Sequence, residues 1–200
     1  MLSQGFWVQR GRSYTWKSLS IPKADVYDWP TAQRARDGDD TGSDIMGRGL
    51  PRWVLCVGTV VLRGDRVLWV RQAKGHSLEG QWSIPWGLAD VGEGAEEAAV
   101  RETLEEAGVR AEVRGLLGVQ NLRNEGWVAL VYLCHHLQGD PVPDGRETDA
   151  AGYFLMQELE ALGEPIEVWC EWLVRRVLSG EYHLTPPLLD NPYNPRMAFL

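Results

Sequence analysis

Three observations on this 200-residue sequence predict an α/β fold with a mixed β-sheet. First, the apolar runs Trp53–Leu62 and Arg66–Gln72 flank Arg63-Gly64-Asp65, whose Gly and Asp favour a hairpin turn. Second, Ala95–Ala107 holds good helix formers and no Pro, and Gly108 follows as a left-handed cap. Third, strand-like stretches resume at 110–120, 127–137 and 150–155, and helical ones follow at 158–162 and 166–178. Interleaved strands and helices of this kind build a sheet with helices packed on it.

The flanks differ from this central region, residues 51–180. Residues 1–50 form an extension in which Phe6, Trp7, Val8, Tyr14, Trp16, Leu19 and Ile21 indicate one or two strands. The polar, glycine-rich run ARDGDDTGSD, 35–44, reads as a mobile connection. Residues 181–200 form a proline-rich tail, extended over the domain.

Composition narrows the function classes. An apolar content of 44% with 24% charged residues fits a globular chain. No apolar run approaches the ~18 residues of a membrane span, and the first residues lack the apolar stretch of a signal peptide. Cys56, Cys134 and Cys170 are widely spaced and read as buried thiols in a reducing, cytoplasmic setting. The net charge of −8 argues against a nucleic-acid partner, which needs a basic face. It leaves room for a nucleotide substrate, because bound cations invert local charge.

The informative stretch is GLADVGEGAEEAAVRETLEEAGV, Gly87 to Val109. On a helix turning about 100° per residue, Glu105 and Glu106 lie roughly 60° and 40° to either side of Glu102. Val100, Thr103, Leu104 and Ala107 cluster opposite and are expected to face the core. Small Ala98 and Ala95 precede the acids on their own face and leave room for a ligand. Two like charges ~4 Å apart cost about 1 kcal/mol in water and about 4 at an effective dielectric of 20. A multivalent cation relieves that repulsion, and hard oxygen donors select Mg²⁺ or Mn²⁺. Any one glutamate here reads equally as a solvated surface acid, and Glu96 and Glu97 are read so. The whole pattern is different: seven specified positions at about one in fifteen each make a chance match roughly one in 10⁸ per start.

This stretch resembles the Nudix box, and Pro51 to Leu178 resembles a Nudix domain. The resemblance implies the α/β/α sandwich of that family and hydrolysis of a nucleoside diphosphate linked to another moiety. It implies metal ligands at Glu102, Glu105 and Glu106, with Trp86 as a backbone-carbonyl ligand. Trp86 stands where the family usually has a second glycine before Gly87, and a carbonyl needs no particular side chain. Thr103 replaces a usual aliphatic residue. Arg101 and Glu93 are expected to set the helix and its lead-in loop, with Gly87 and Gly108 as structural glycines. Glu102, Glu105, Arg101 and Glu147 form the expected catalytic set. The general base is Glu105 or Glu147, with Asp149 behind the latter.

Trp82, Trp86 and Trp127 are the candidate substrate contacts. Each reads also as an ordinary core aromatic. His76 in the preceding loop reads either as a phosphate contact or as a solvated loop residue. A Pro or Tyr some sixteen to eighteen places past the box marks certain subfamilies; here that window holds Glu125 and Trp127. ADP-ribose, nucleotide sugars and nucleoside triphosphates all remain as substrates. The alternative is a nucleotide-binding regulator on the same fold, without turnover. Related families exchange amino-terminal strands across a homodimer; here the extension either does so or folds onto its own subunit.

Overall fold

A computed structural model describes residues 5–10, 13–18, 53–122, 126–189 and 197–199. The chain divides into two units, Met1–Leu50 and Pro51–Leu200. In the first, β1 (Gly5–Arg10) pairs antiparallel with β2 (Ser13–Ser18), with Trp7 opposite Trp16. Leu19, Ile21, the 35–44 connection and Glu125 lie outside the described residues.

The second unit is built on β3 (Val54–Arg63), β4 (Arg66–Gln72), β5 (Trp82–Ser83), β6 (Trp86–Leu88), β7 (Arg110–Asn121), β8 (Trp127–Gln138) and β9 (Thr148–Phe154). They form one seven-stranded sheet along the path β5-β4-β3-β8-β7, with β6 also on β3 and β9 on β4. Only β3 and β8 run parallel. β3 is central and carries apolar residues on both faces, so Cys56 to Val61 are all buried. Gly64 takes a positive φ of 66° in the two-residue β3–β4 turn, a conformation open to glycine at little cost.

β4 stays beside β3 only at Leu62 and Arg63. Farther along the same edge, β6 takes over against Cys56, Val57 and Gly58. The candidate site residues of β6 and α1 lie where these two strands part.

Helices cover both faces. On one side α1 (Ala95–Ala107) packs Ala98, Ala99 and Ala107 with Val57, Val61, Leu68 and Tyr132. On the other, α2 (Met156–Ala161) and α3 (Val168–Leu178) bring Met156, Leu159, Cys170 and Val174 against Val60, Trp69 and Leu133. This is the α/β/α sandwich anticipated from the sequence. α1 has the expected limits and ends at Gly108 in the left-handed conformation, φ 66°, whose N–H returns to the Leu104 carbonyl.

The helix is turned differently from the wheel's expectation. Leu104 is exposed, whereas Ala98 and Glu106 are buried. The reason is β6, which covers the flank where Ala98 and Glu106 lie; α1 therefore packs through two adjoining faces. Thr103, the departure from an aliphatic residue, is fully buried and bonded. Its Oγ1 donates to the Ala99 carbonyl at 2.8 Å and lies 2.7 Å from the Thr59 hydroxyl of β3.

The tail is tied to the domain. Thr185 exchanges two backbone hydrogen bonds with Leu116, and β10 (Pro187–Leu188) pairs with β11 (Ala198–Phe199). Phe199 packs on Tyr132, ring centroids 5.4 Å apart. The three cysteines are free and buried. No described helix is long and apolar enough to cross a membrane.

Candidate active site

The carboxylate helix is seated by a glycine. Gly87 in β6 lies so close to α1 that a Cβ on it would overlap the carboxyl carbon and both oxygens of Glu102. The Glu102 carboxylate fills the space that any larger residue at 87 would need.

Arg101 fastens the surrounding pieces. Its Nε and Nη2 each lie 2.9 Å from a Glu93 oxygen, a two-pronged pair. Nη2 also donates to the Leu88 carbonyl at 2.9 Å. Nη1 donates to Glu102 Oε1 at 2.8 Å and Glu105 Oε2 at 3.0 Å. One guanidinium thus joins the lead-in loop, β6 and two of the three box carboxylates. The Arg101 hydrogen bonds hold Glu93 below the usual carboxylate range. Glu93 in turn accepts from the Asp90 amide at 3.0 Å.

Glu97 and Glu96, read from the sequence as plain surface acids, both have partners. Glu97 sits three residues past the N-cap Gly94 and accepts its amide at 2.8 Å, half of a capping box. Glu96 accepts the Met197 amide at 3.0 Å, pinning the tail to the first turn of α1.

Glu106 is 3% exposed. Burial, with the nearby charges of Glu102 and Glu147, lifts its pKa to about 8 against the pull of the Trp86 amide. That amide donates to Glu106 Oε2 at 2.9 Å. The Thr59 amide donates to the Pro85 carbonyl and the Ala89 amide to the Leu55 carbonyl, so the ladder bonds fall on the odd-numbered positions immediately flanking β6. In an antiparallel pair the intervening residues turn both polar groups away from the partner strand. The Trp86 carbonyl therefore lies on the same edge as its amide, toward Glu106. Burial also raises the Glu102 pKa, against the pull of Arg101.

Glu147 joins from β9's approach loop. Asp144 Oδ1 accepts the amides of Arg146, Glu147 and Thr148, which curls the loop into shape. Thr148 Oγ1 donates to the Glu106 carbonyl at 2.6 Å and ties the loop to α1. Glu147 is exposed, and its charge reaches both Glu102 and Glu106. Asp149 is turned elsewhere, paired with Arg71 at 2.7 Å.

A cavity of about 430 Å³ opens beside these groups. Its lining includes Glu106, Glu147, Gln72, His76, Trp86 and Trp127. Gly58 seats the Trp86 indole, because a Cβ there would overlap the indole ring.

Trp82 is a correction. It is 4% exposed, its Nε1 donates to Glu164 Oε2 at 2.6 Å, and its ring meets Phe154 edge-on at 5.2 Å. Pairing of β5 with β4, and a bridge to Ile166, draw it into the core beneath the lead-in to α3. Trp169 of α3, absent from the sequence-based set, lines the cavity instead and meets Trp86 edge-on at 5.8 Å. Nothing local to α3 marked it; the contact depends on how α3 docks.

Glu102, Glu105, Glu106 and the Trp86 carbonyl are all hard oxygen donors, which suits Mg²⁺ or Mn²⁺. Among the described residues no three His, Cys, Asp or Glu side chains already converge as a metal cage. Arg101 holds an oxygen of both Glu102 and Glu105. Glu105, 57% exposed at its side chain, has the freedom to exchange that partner for a cation.

A family model of the NUDIX domain matches residues 53–173. The chain is 38% identical over 81 residues to a MutT-like protein of Streptomyces ambofaciens, covering 40% of this chain and 50% of that protein. It is 37% identical over 86 residues to the 8-oxo-dGDP phosphatase NUDT18 of Homo sapiens, covering 43% and 26% respectively. The chain thus spans half or less of the length of these curated relatives. Among solved structures, a NUDIX hydrolase from Nitrosomonas europaea superimposes with a TM-score of 0.58 at 24% identity, covering 74% of this chain and 77% of that one. The family match takes in the whole seven-stranded sheet and more than half the sequence, and by it this chain belongs to the Nudix family.

Proposed function

We propose that this protein hydrolyses a phosphoanhydride bond in a nucleoside diphosphate linked to another moiety, with water attacking phosphorus. The observation that carries this reading is the box itself: Gly87 yields its side-chain space to Glu102, while Arg101 orders Glu93, Glu102 and Glu105 around it. Glu102, Glu105, Glu106 and the Trp86 carbonyl would hold Mg²⁺ or Mn²⁺, which when bound supplies charge neutralisation for the diphosphate and a more acidic water. The protein's own part is positioning. Arg101 and Glu93 fix the helix against its lead-in loop, and Trp86 and Trp127 wall the cavity. Glu105 or Glu147 takes the proton of the attacking water.

The test is product release from a panel of nucleoside diphosphate derivatives, with and without Mg²⁺. Turnover should require the cation and vanish in Glu105→Gln and Glu106→Gln, both of which should remain folded. Retained turnover in both variants refutes the assignment. Binding of nucleotides without any product favours a regulatory protein.

A further inference from the structure

The loop that joins β4 to β5 carries backbone strain at one position. Leu78 has a φ of 67°, in the left-handed region, and among the described residues it is the only one other than glycine to do so. A side chain in that conformation crowds the following carbonyl. The same loop uses glycine at its other two positive-φ positions, Gly75 at 91° and Gly80 at 74°.

The strained residue is braced from both sides. The Gln81 amide donates to the Leu78 carbonyl at 2.9 Å, closing a turn with Gly80 at its third position. That turn is tied to the end of β4: the Gly80 amide donates to the Gln72 carbonyl at 2.9 Å, and the Gln72 amide to the Gln81 carbonyl at 3.0 Å. Earlier in the loop the His76 amide donates to the Ala73 carbonyl at 3.3 Å, and the Gly75 amide to Glu79 Oε2 at 2.9 Å.

Glycine at 78 would meet the demands of this backbone without strain, so the leucine is accounted for by what its side chain touches. Leu78 belongs to neither apolar cluster of the domain. It lines the cavity and is 41% exposed, which puts it at the mouth. Leu88 of β6 lines the same cavity and is exposed as well. A ligand seated inside withdraws such side chains from water.

We propose that Leu78 is a substrate-binding residue, held by the turn in a strained conformation so that its side chain covers the ligand in the cavity. The contact is apolar and brings no charge or proton to the reacting phosphate, so it strengthens binding of substrate and transition state alike. The proposal rests on the hydrolase reading for turnover but not for binding, so the two are tested apart.

The experiment compares Leu78→Gly, Leu78→Ala and Leu78→Met in the whole protein. Withdrawing about four-tenths of a leucine's surface from water corresponds to roughly three- to eightfold in affinity. Among ADP-ribose, UDP-glucose and GTP, whichever is turned over under Mg²⁺ should show KM raised by that factor in Leu78→Gly and Leu78→Ala. Turnover number should stay within about twofold of the parent, and Leu78→Met should restore KM. Melting separates backbone from side chain. Leu78→Gly relieves the strain that Leu78→Ala keeps, so it should melt about 2–4 °C higher. The usual order is the reverse, because glycine gives the unfolded chain more freedom. An unchanged KM in both variants overturns the proposal, as does Leu78→Ala melting at or above Leu78→Gly. A fall in kcat without a rise in KM, the mark of a merely structural loop, also overturns it. Fluorescence titration of the cavity tryptophans with ADP-ribose and ADP, without metal, reads binding without chemistry. No product from the panel, with affinity lowered in Leu78→Gly and Leu78→Ala, refutes hydrolysis and leaves this contact standing. Equal affinity in parent and variants, or no binding of these nucleotides to the parent, overturns it.

Discussion

Gly87→Ala is the sharpest perturbation of the proposed site, because it adds one carbon where the Glu102 carboxylate now lies. Ordinary contact for a Cβ begins near 3.4 Å, and the new methyl would overlap the Glu102 carboxyl group. Relief requires a displacement of roughly 1 Å or more, enough to cost about 100-fold in rate when it misplaces a reacting group. The strain itself should destabilise the fold by about 1–3 kcal/mol, the usual range for overpacking. The assay pairs initial rates under saturating Mg²⁺ with thermal denaturation. A second background isolates the cause. Glu102→Ala removes the obstructing carboxylate, so Gly87→Ala should cost much less stability there than in the parent. Such non-additivity is the signature of direct contact. Parent-like rates in Gly87→Ala, or equal destabilisation in both backgrounds, refute the packing argument.

Other outcomes follow from the same geometry. Metal-free protein should lose stability as pH rises from about 4.5 toward 8, because native Glu106, with its pKa lifted to about 8, retains a proton that the unfolded chain releases. The steepest contribution is about 1.4 kcal/mol per pH unit; Glu106→Gln should remove it from the denaturant-derived stability profile, and an unchanged profile contradicts the burial argument. Arg101→Lys should lower turnover by about 10–100-fold, because an ammonium cannot span Glu93, Leu88, Glu102 and Glu105 together. Parent-like rates in that variant argue against the hub. Gly58→Ala should push the Trp86 indole off β3 at a cost of about 1–3 kcal/mol, read by melting, and raise KM more than it lowers kcat.

Much of the site was legible because it is local. The span of α1 and its stop at Gly108 followed from helix formers bounded by glycine. The β3–β4 hairpin followed from Gly64 and Asp65 between two apolar runs. Glu97, three places past the cap, was read as a surface acid, because the serine or threonine that usually marks a capping box is here Gly94.

What escaped the sequence depends on neighbours far away in the chain. A helical wheel has no knowledge of β6, so it left Glu106 on the open face and turned Leu104 inward. Trp82 and Trp86 share strand parity and look alike as letters. Trp82 is drawn into the core by β4 and Ile166, whereas Trp86 crosses Gly58 toward the cavity. Trp169 joins Trp86 only because α3 docks on the opposite face of the sheet from α1.

The pin between Glu96 and Met197 spans 101 positions of sequence. During synthesis, the helix that carries the carboxylates is therefore made long before the residue that steadies its first turn. A nascent chain halted between these two points can form the sheet yet must leave Glu96 facing water and Tyr132 without its Phe199 cover. Completion of the carboxylate-bearing helix is thus coupled to arrival of the distal chain, and stalled intermediates should be more open to proteases around residues 90–97 than the finished protein.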